Sequence, residues 1–230
     1  MNESIIDLED VFPWENAGVI GEPSGVQRHA STKWSVNNQT DLVYLMDFFT
    51  AFALLILTLP ILALSLLWVA LVDWGNPIFT QTRIGQHGKP FRIFKVRSMR
   101  VDRHGRARFC AQEDVRIFPG GRFLRKTRID ELPQLFNVLI GDMSLVGPRP
   151  EQSDFVKSFL KEIPRYSERF DVKPGITGLA QVNQGYVDSL RGTRIKLKYD
   201  LFSIKKRSTS LWINIIVKTM RVVVVGLGAR

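Results

Sequence analysis

The sequence predicts a mostly helical α/β protein that associates with a membrane and contains one short β-hairpin. Three observations lead to this class: an uncharged apolar run at 48–72, two strand-like segments around a glycine-rich turn, and several segments with helical periodicity. A length of 230 residues suits one domain with appendages. We therefore expect a tail at 1–40, a membrane segment at 41–73 and a basic domain at 74–230.

The predicted tail is acidic and poorly ordered, because it is rich in Ser, Asn and Gly and lacks a sustained apolar period. Residues 1–72 contain two basic and eight acidic side chains, whereas residues 73–230 contain thirty basic and fourteen acidic ones. A domain this basic suits an anionic lipid, a nucleic acid or a phosphorylated substrate.

Cysteine and histidine usage excludes two kinds of site. Cys110 is the single cysteine, so an internal disulfide and a cysteine-rich zinc site are both excluded. The three histidines are scattered along the chain, and nothing in their spacing predicts a histidine-based metal site.

The apolar run at 48–72 is long enough to enter a bilayer. Asp47 and Asp73 close it, and soluble helices are rarely apolar on every side over such a length. Pro60 lies at its centre, where a proline removes one hydrogen bond and kinks or breaks a helix. A kinked helix crosses the membrane and a broken one dips in and returns; these residues leave both alternatives open. The basic domain that follows favours the cytoplasmic side.

Residues 77–99 predict the β-hairpin. PIFTQT is extended and partly apolar, IGQHGKP is rich in turn residues, and FRIFKVRSM combines aromatic and β-branched residues. Lys95 and Arg97 near the end of the second strand are either an exposed strand face or ligands for a diphosphate. A polar loop is expected at 101–115.

Two adjacent carboxylates, Asp130 and Glu131, follow a basic stretch and precede a helix signature. The stretch from Arg116 to Arg128 has five basic residues and no acidic one. Pro133 suits a first helical turn and Gly141 a helix end. The apolar face between them comprises Leu132, Leu135, Phe136, Leu139 and Ile140. The carboxylates are therefore expected at a helix N-terminus, which favours a bound phosphate.

The charge around Asp130 leads to a chemical prediction. We expect the basic neighbours to lower the pKa of Asp130 and to keep it ionised near pH 7. An ionised carboxylate beside a phosphate can act as a nucleophile or hold a divalent metal. The alternative is an ordinary helix cap beside a solvated basic loop, and these residues alone leave both open.

Arg149 stands between Pro148 and Pro150. The two prolines hold the backbone rigid and aim the arginine, which suits a phosphate; the alternative is a turn at a domain edge. Downstream, an amphipathic helix is expected at 152–163, a glycine-punctuated loop in KPGITGLAQV, and an amphipathic or core helix at 211–229.

Four segments, taken in order, resemble one protein family. They are the proline-centred apolar run, IFTQTRIGQHGKPFRIFKVRSM, GRFLRKTRIDELPQLFNVLIGDMSLVGPRP and KPGITGLAQVN. The family is that of the bacterial sugar transferases, in its small monotopic type of polyprenyl-phosphate phosphoglycosyl transferases. The resemblance implies transfer of a sugar-1-phosphate from a UDP-sugar to undecaprenyl phosphate with release of UMP. Such a step initiates exopolysaccharide, capsule or glycoconjugate synthesis.

The resemblance also implies residue roles. Asp130 would attack the β-phosphate and form a covalent phosphosugar intermediate in a ping-pong scheme, and Glu131 with Asp130 would hold Mg²⁺. The substrate-binding positions that it implies are Lys95, Arg97, Arg125, Pro148, Arg149, Pro150 and Gln181.

The family places the apolar run in the membrane as a re-entrant helix-break-helix. The resemblance therefore implies a break at Pro60, contact with membrane phospholipid, and a catalytic domain at 74–230 lying on the cytoplasmic face of the bacterial inner membrane. A homodimer is compatible with it. The sequence departs from the family pattern at Arg128-Ile129, but the Asp130-Glu131 dyad that follows is intact. It also departs after Asn183, so the resemblance does not define which sugar is transferred.

A rival interpretation is a catalytically inert, membrane-tethered basic module that binds nucleic acid or anionic lipid. The charge of the domain supports it. Against it, aromatic residues are not interleaved with the basic stretch as a stacking platform requires, so no nucleic-acid partner is expected. The inert-module interpretation also assigns no function to the adjacent carboxylates Asp130 and Glu131.

Overall fold

The computed structural model describes residues 38–100, 116–184 and 189–225. The predicted loop at 101–115 lies outside these ranges, and so does the predicted tail except for residues 38–40, which begin the first helix. The helices are α1 (Asn38–Val72), α2 (Gly121–Lys126), α3 (Gln134–Leu139), α4 (Ser153–Glu162), α5 (Leu179–Asn183), α6 (Leu190–Lys205) and α7 (Thr209–Val225). The strands are β1 (Ile78–Ile84), β2 (Pro90–Val96), β3 (Ser144–Val146) and β4 (Gly175–Thr177). The prediction of a mostly helical protein with a short hairpin is confirmed.

Helix α1 contains the apolar run, and its segment Asp41–Val72 is long and apolar enough to cross a membrane by length and composition. A single narrow stripe of it is buried against the rest of the protein. This stripe consists of Val43, Asp47, Ala51, Leu55, Leu62, Ser65 and Val69. The other faces are bare and carry fourteen exposed large apolar side chains between Leu42 and Leu71. Packing against the rest of the protein therefore explains the buried stripe of α1 but not why its other faces are also apolar.

The structure does not confirm a break at Pro60, because helix α1 continues through it. Proline lacks an N–H, so the carbonyl of Ile56, one turn earlier, loses its usual helical partner. The hydroxyl of Thr58 does not replace that partner; it donates to the carbonyl of Leu54 at 2.7 Å. One missing hydrogen bond in a long helix is compatible with a bend rather than an interruption.

Strands β1 and β2 form the predicted hairpin, with antiparallel pairing from Ile78 opposite Val96 to Ile84 opposite Pro90. Asn137 of α3 attaches a helix to this hairpin. Its side-chain amide donates to the carbonyl of Arg92 at 2.8 Å and its oxygen accepts from the N–H of Phe94 at 3.1 Å. Because Asn137 is fully buried, these bonds fix α3, and the residues just before it, relative to β2.

Helix α3 confirms the predicted helix after Pro133 but is shorter than expected. Asp130 and Glu131 lie in a separate 3₁₀ turn, Ile129–Glu131, and not in the first turn of α3. Of the predicted apolar face, Leu135 is buried, whereas Phe136 and Ile140 are exposed. Two polar side chains, Gln134 and Asn137, are buried instead. Tertiary contacts with β2 therefore override the helical periodicity at this position.

Strands β3 and β4 form a small parallel pair, and two glycines permit the close approach of their backbones. A Cβ at Gly175 would lie 2.0 Å from the backbone nitrogen of Gly147. The glycine-punctuated loop expected in KPGITGLAQV is therefore wrong: the segment contains β4 and α5. Three-residue strands carry too little alternation to be recognised from sequence. Helices α4 and α7 confirm the two downstream predictions.

Candidate active site

The adjacent carboxylates are buried between three parts of the fold. Asp130 is 8% exposed and Glu131 is 9% exposed. Strand β2 supplies Lys95, and the turn after β3 supplies Arg149. The residue that precedes the 3₁₀ turn, Arg128, has a positive φ of 60°. We call these residues the dyad cluster: Lys95, Arg128, Asp130, Glu131 and Arg149.

Glu131 is the anion that holds the dyad cluster together. Its Oε1 accepts from Lys95 Nζ at 3.0 Å and from Arg149 Nη2 at 2.5 Å, and its Oε2 lies 3.9 Å from Arg128 Nη1. Burial by itself would raise the pKa of Glu131, but Arg149, Lys95 and Arg128 outweigh burial and hold this pKa well below its usual range. Glu131 in turn raises the pKa of Arg149. Glu131 is therefore ionised throughout the neutral range.

Asp130 has a different environment from its neighbour. Burial raises the pKa of Asp130 to about 6; Lys95 lowers it and the charge of Glu131 raises it, while Arg125 and Arg149 lower it further. The expectation of a lowered pKa is therefore wrong, because burial and the adjacent anion outweigh the cations. With a pKa of about 6, the carboxylate is still mostly ionised at pH 7.

The Oδ1 atom of Asp130 is buried and has no hydrogen-bond partner among the described residues. A buried, ionised oxygen without a partner is unfavourable in a protein interior. Asp130 therefore has an enclosed oxygen whose capacity to accept a hydrogen bond or to bind a cation is unused among the described residues.

The donor set fits a magnesium ion that is shared with a phosphorylated substrate. The described ranges contain no group of three or more His, Cys, Asp and Glu side chains that could hold a metal by themselves. Magnesium usually needs only one or two carboxylates, with water and substrate phosphate as its other ligands. Asp130, with its unpartnered Oδ1, and Glu131, through the oxygen farther from Arg149, match this requirement.

The structure brings some of the predicted substrate-binding residues to the dyad and places others elsewhere. Lys95 and Arg149 contact Glu131, and Arg125 acts on Asp130 through its charge. Arg97 pairs instead with Asp73 just beyond α1, with 3.3 Å between Nη1 and Oδ2.

The remaining predicted positions make backbone contacts. The carbonyl of Pro148 accepts from Gly175 N at 2.9 Å, and that of Pro150 accepts from Arg83 Nη1 at 3.2 Å. The side chain of Gln181 donates to the carbonyl of Ile176 at 3.0 Å. The first two contacts fix both sides of the Arg149 turn.

A second buried ionic group supports that turn and is not recognisable in the sequence. Arg169 is 4% exposed. Its Nη2 donates to the backbone carbonyl of Arg149 at 3.0 Å and to Asp200 Oδ2 at 2.9 Å, and its Nη1 donates to the hydroxyl of Tyr166 at 2.5 Å. Arg169 is therefore a positioning residue for Arg149, which it reaches through the main chain.

Glu151 extends this group by accepting from Lys196 and lying 3.9 Å from Arg169 Nη1. We call the group the Arg169 cluster: Glu151, Tyr166, Arg169, Lys196 and Asp200. Arg169 and Asp200 are 31 positions apart, so no local spacing could have indicated their pairing. The one member of the cluster whose sequence position points to the site is Glu151, because it directly follows the Pro148-Arg149-Pro150 motif.

A family model described as bacterial sugar transferase matches residues 38–226 of this chain. The chain is 44% identical over 189 residues to a UDP-N-acetylgalactosamine-undecaprenyl-phosphate N-acetylgalactosaminephosphotransferase of Aeromonas hydrophila, covering 80% of this chain and 44% of that protein. It is 41% identical over 174 residues to a UDP-glucose:undecaprenyl-phosphate glucose-1-phosphate transferase of Klebsiella pneumoniae, covering 74% and 37%. A protein of the latter name from Caulobacter vibrioides is 40% identical over 180 residues, covering 76% and 67%. The chain thus spans less than half the length of the first two relatives.

Proposed function

Because this chain belongs to the bacterial sugar transferase family, we propose that it transfers a sugar-1-phosphate from a UDP-sugar to undecaprenyl phosphate and releases UMP. The observation that carries the proposal is the unpartnered, buried Oδ1 of Asp130 beside a Glu131 that already binds Lys95 and Arg149. Relatives with this activity in their names differ in the sugar, N-acetylgalactosamine or glucose, so the sugar stays open. The product would initiate polysaccharide or glycoconjugate synthesis.

In the first half-reaction, Asp130 Oδ1 attacks the β-phosphorus of the UDP-sugar. A bond forms between the carboxylate oxygen and phosphorus, and the bond from that phosphorus to the bridging oxygen breaks. UMP leaves with the electron pair, and no proton has to move. Lys95 and Arg149 stabilise the negative charge on the phosphoryl oxygens, which is the main protein contribution to such transfers.

In the second half-reaction, a phosphate oxygen of undecaprenyl phosphate attacks the same phosphorus. The bond to Asp130 breaks and the free carboxylate is regenerated. The product is a sugar joined to the lipid through a diphosphate. Glu131 keeps its charge in both steps, because the three cations hold its pKa low, and it thereby keeps Lys95 and Arg149 in place.

Asp130 and Glu131 would hold Mg²⁺ together with phosphate oxygens and water. When bound, the ion neutralises charge on the diphosphate and on the leaving UMP. Binding of a cation next to Asp130 also favours its ionised form, and this offsets the effect of burial on the pKa of that side chain.

A re-entrant placement of α1 in the cytoplasmic leaflet of the inner membrane belongs to the same proposal. Two contacts far apart on α1 support it. Asp47 accepts from Ser144 and Trp212, and Trp68 packs on Gly120, where a Cβ would lie 2.6 Å from the indole nitrogen. These positions are about 32 Å apart along a straight helix, close to the thickness of a bilayer core, about 30 Å. If α1 crossed the bilayer, Asp47 and Trp68 would lie near opposite membrane surfaces. A charged domain on one side of the membrane could not contact both of them.

The topology is tested with Ser35→Cys and Thr80→Cys, made singly in a Cys110→Ser background. We expect an impermeant thiol reagent to label neither position in intact cells and both after permeabilisation. Labelling of position 35 alone from outside would show that α1 crosses the membrane.

The chemistry is tested by incubating detergent-solubilised protein with Mg²⁺ and UDP-sugars and measuring UMP. Without undecaprenyl phosphate, the wild type should release one UMP per molecule and retain the sugar phosphate covalently; with it, UMP release should become continuous. Asp130→Asn should do neither, and the matched control Asp154→Asn, at an exposed position of α4, should do both. Equal UMP release from Asp130→Asn and the wild type would exclude the nucleophile assignment, and no release from any protein would favour the inert-module interpretation.

A further inference from the structure

Tyr44, in the first turns of α1, lies between two cations from distant parts of the chain. Lys173 Nζ is 4.7 Å from the centroid of the ring, and Arg207 Cζ is 4.5 Å from it. Arg207 Nη1 also donates to the hydroxyl of Tyr44 at 3.2 Å. The ring attracts each cation, but it carries no net charge and does not neutralise either of them.

In the described part of the chain, the charge of Asp47 acts on Arg207, but no carboxylate contacts either cation. Neither Lys173 nor Arg207 forms an ion pair there, and Arg207 Nη2 is buried without a hydrogen-bond partner. The nearby carboxylate of Asp47 accepts from Ser144 and Trp212 instead. A buried guanidinium nitrogen without an acceptor is unfavourable, so Arg207 Nη2 can still donate a hydrogen bond to a bound anion.

Arg207 lines a cleft between α1, the corner of α6 and α7, and the turn after β3. Other lining residues include Val43, Pro148, Ser203 and Trp212. The cleft lies between two helices whose outer faces are bare and apolar: Leu42, Leu45 and Phe48 are exposed on α1, and Ile213, Val217 and Met220 on α7.

Two further lysines, Lys205 and Lys206, are exposed at the end of α6 directly before Arg207. Cations and a tyrosine beside bare apolar helices are the arrangement found where proteins meet the headgroup layer of a membrane. The positive charge of the cleft therefore lies where an anionic headgroup would be, if α1 is in the membrane as in the proposed function.

We propose that Tyr44, Lys173 and Arg207 form a binding site for the phosphate of an anionic phospholipid. The phosphate accepts from the unpartnered Arg207 Nη2 and from Lys173, the hydroxyl of Tyr44 borders it, and the acyl chains lie against the bare faces of α1 and α7. Within the described residues, no hydrogen bond or ion pair links Tyr44, Lys173 or Arg207 to Asp130 or Glu131, and the cleft approaches the dyad cluster at Pro148, which directly precedes Arg149.

The test is a thermal unfolding measurement on the full chain in neutral detergent, with phosphatidylglycerol or phosphatidylcholine added. Phosphatidylglycerol should raise Tm by about 5 °C at saturating concentration, which is the shift expected for a site near full occupancy in a chain of this size. Phosphatidylcholine should raise it by much less. Because the readout needs no turnover, the same shift is expected for Asp130→Asn, whether or not the proposed reaction is correct.

The matched variants separate the site from general charge. Lys173→Gln with Arg207→Gln should abolish the shift, whereas Lys157→Gln with Lys161→Gln, which removes two exposed lysines of α4, should retain it. A full shift in the first double variant would refute the proposal. If that variant does not fold, Lys173→Gln alone should at least halve the shift, and an unchanged shift there would refute it equally.

Two further additions distinguish the sources of the phosphate. A shift with inorganic phosphate as large as that with phosphatidylglycerol would indicate a general anion site and overturn the proposal. A shift with undecaprenyl phosphate alone, lost in the double variant, would assign the cleft to the lipid substrate and overturn it as well. If phosphatidylglycerol raises Tm at the same concentration with and without undecaprenyl phosphate, the two lipids do not compete for the site, which would support the proposal.

Discussion

The dyad cluster and the Arg169 cluster are both buried ionic groups, and they meet at Arg149, but Asp130 in the first and Glu151 in the second have opposite pKa shifts. In the dyad cluster, Asp130 keeps an unpartnered oxygen and has a pKa raised to about 6. In the Arg169 cluster, the cations outweigh the burial of Glu151 and lower its pKa to about 2.

The opposite pKa shifts indicate opposite contributions to folding. A raised carboxylate pKa means that folding disfavours the ionised form, and a lowered one means that folding favours it; two pKa units correspond to about 3 kcal/mol. The comparison teaches that the fold keeps Asp130 buried with an unpartnered oxygen at a cost in stability, and uses the Arg169 cluster to hold the backbone of Arg149. Such a division between active-site and supporting charges is common in enzymes.

The largest expected effect is that of Asp130→Asn on activity. UMP release should fall by about 1000-fold or more, as is usual when a covalent nucleophile is removed, while Tm should be unchanged or higher because a buried charge is lost. The measurements are UMP release and thermal unfolding in the same detergent. A variant that loses both activity and several degrees of Tm would mean that Asp130 supports the fold like the second cluster.

Asp200→Asn should have the opposite effect to Asp130→Asn, with a lower Tm and a much smaller loss of UMP release. It removes the negative charge that Arg169 Nη2 contacts at 2.9 Å and leaves Glu151, 3.9 Å from Nη1, as the remaining anion; breaking a buried ion pair costs about 3–5 kcal/mol. We expect a Tm lower by about 10 °C and, at low temperature, UMP release within tenfold of the wild type. Asp154→Asn, which is exposed, is the control. A normal Tm with a large loss of activity would contradict the supporting role.

The pH dependence of stability should separate the two clusters. Between pH 4 and 6 the unfolded chain has lost the Asp130 proton and the folded protein keeps it, so stability falls by about 3 kcal/mol as the pH rises. Between pH 2 and 4.5 the unfolded chain holds the Glu151 proton and the folded protein has lost it, so stability rises with pH. Denaturant titrations at several pH values should show the first slope reduced in Asp130→Asn and the second reduced in Glu151→Gln, with the remaining slopes due to other shifted carboxylates such as Asp200 and Glu131. An unchanged slope in either variant would refute the assignment of that slope.

The smallest effect is expected at an exposed ion pair outside both clusters. Arg165 Nε lies 2.6 Å from Glu168 Oε1, with the two side chains 49% and 40% exposed. Exposed pairs contribute between 0 and about 1 kcal/mol. Arg165→Gln should therefore change Tm by no more than about 3 °C and leave UMP release unchanged. A larger change would show that burial is not what distinguishes the two clusters from other charges.

The sequence predicted the parts of the site that depend on neighbouring residues. The adjacency of Asp130 and Glu131, the prolines around Arg149, the hairpin and the uncharged run of α1 all follow from spacing over a few residues. The direction of the Asp130 pKa shift did not follow, because it depends on burial, which no local pattern measures.

By itself, then, the sequence determined the local elements, the family and the carboxylate pair, because backbone preference and hydrophobic periodicity act over short distances along the chain. Only the tertiary structure decided the partners: Lys95 for Glu131 from 36 positions away, Asp73 rather than the dyad for Arg97, and Arg169 behind the Arg149 turn. It also showed that α1 continues through Pro60, where the sequence left a kink and a break as alternatives. Pairing and burial depend on how distant segments pack, and packing brings together residues whose positions in the chain give no sign of their contact.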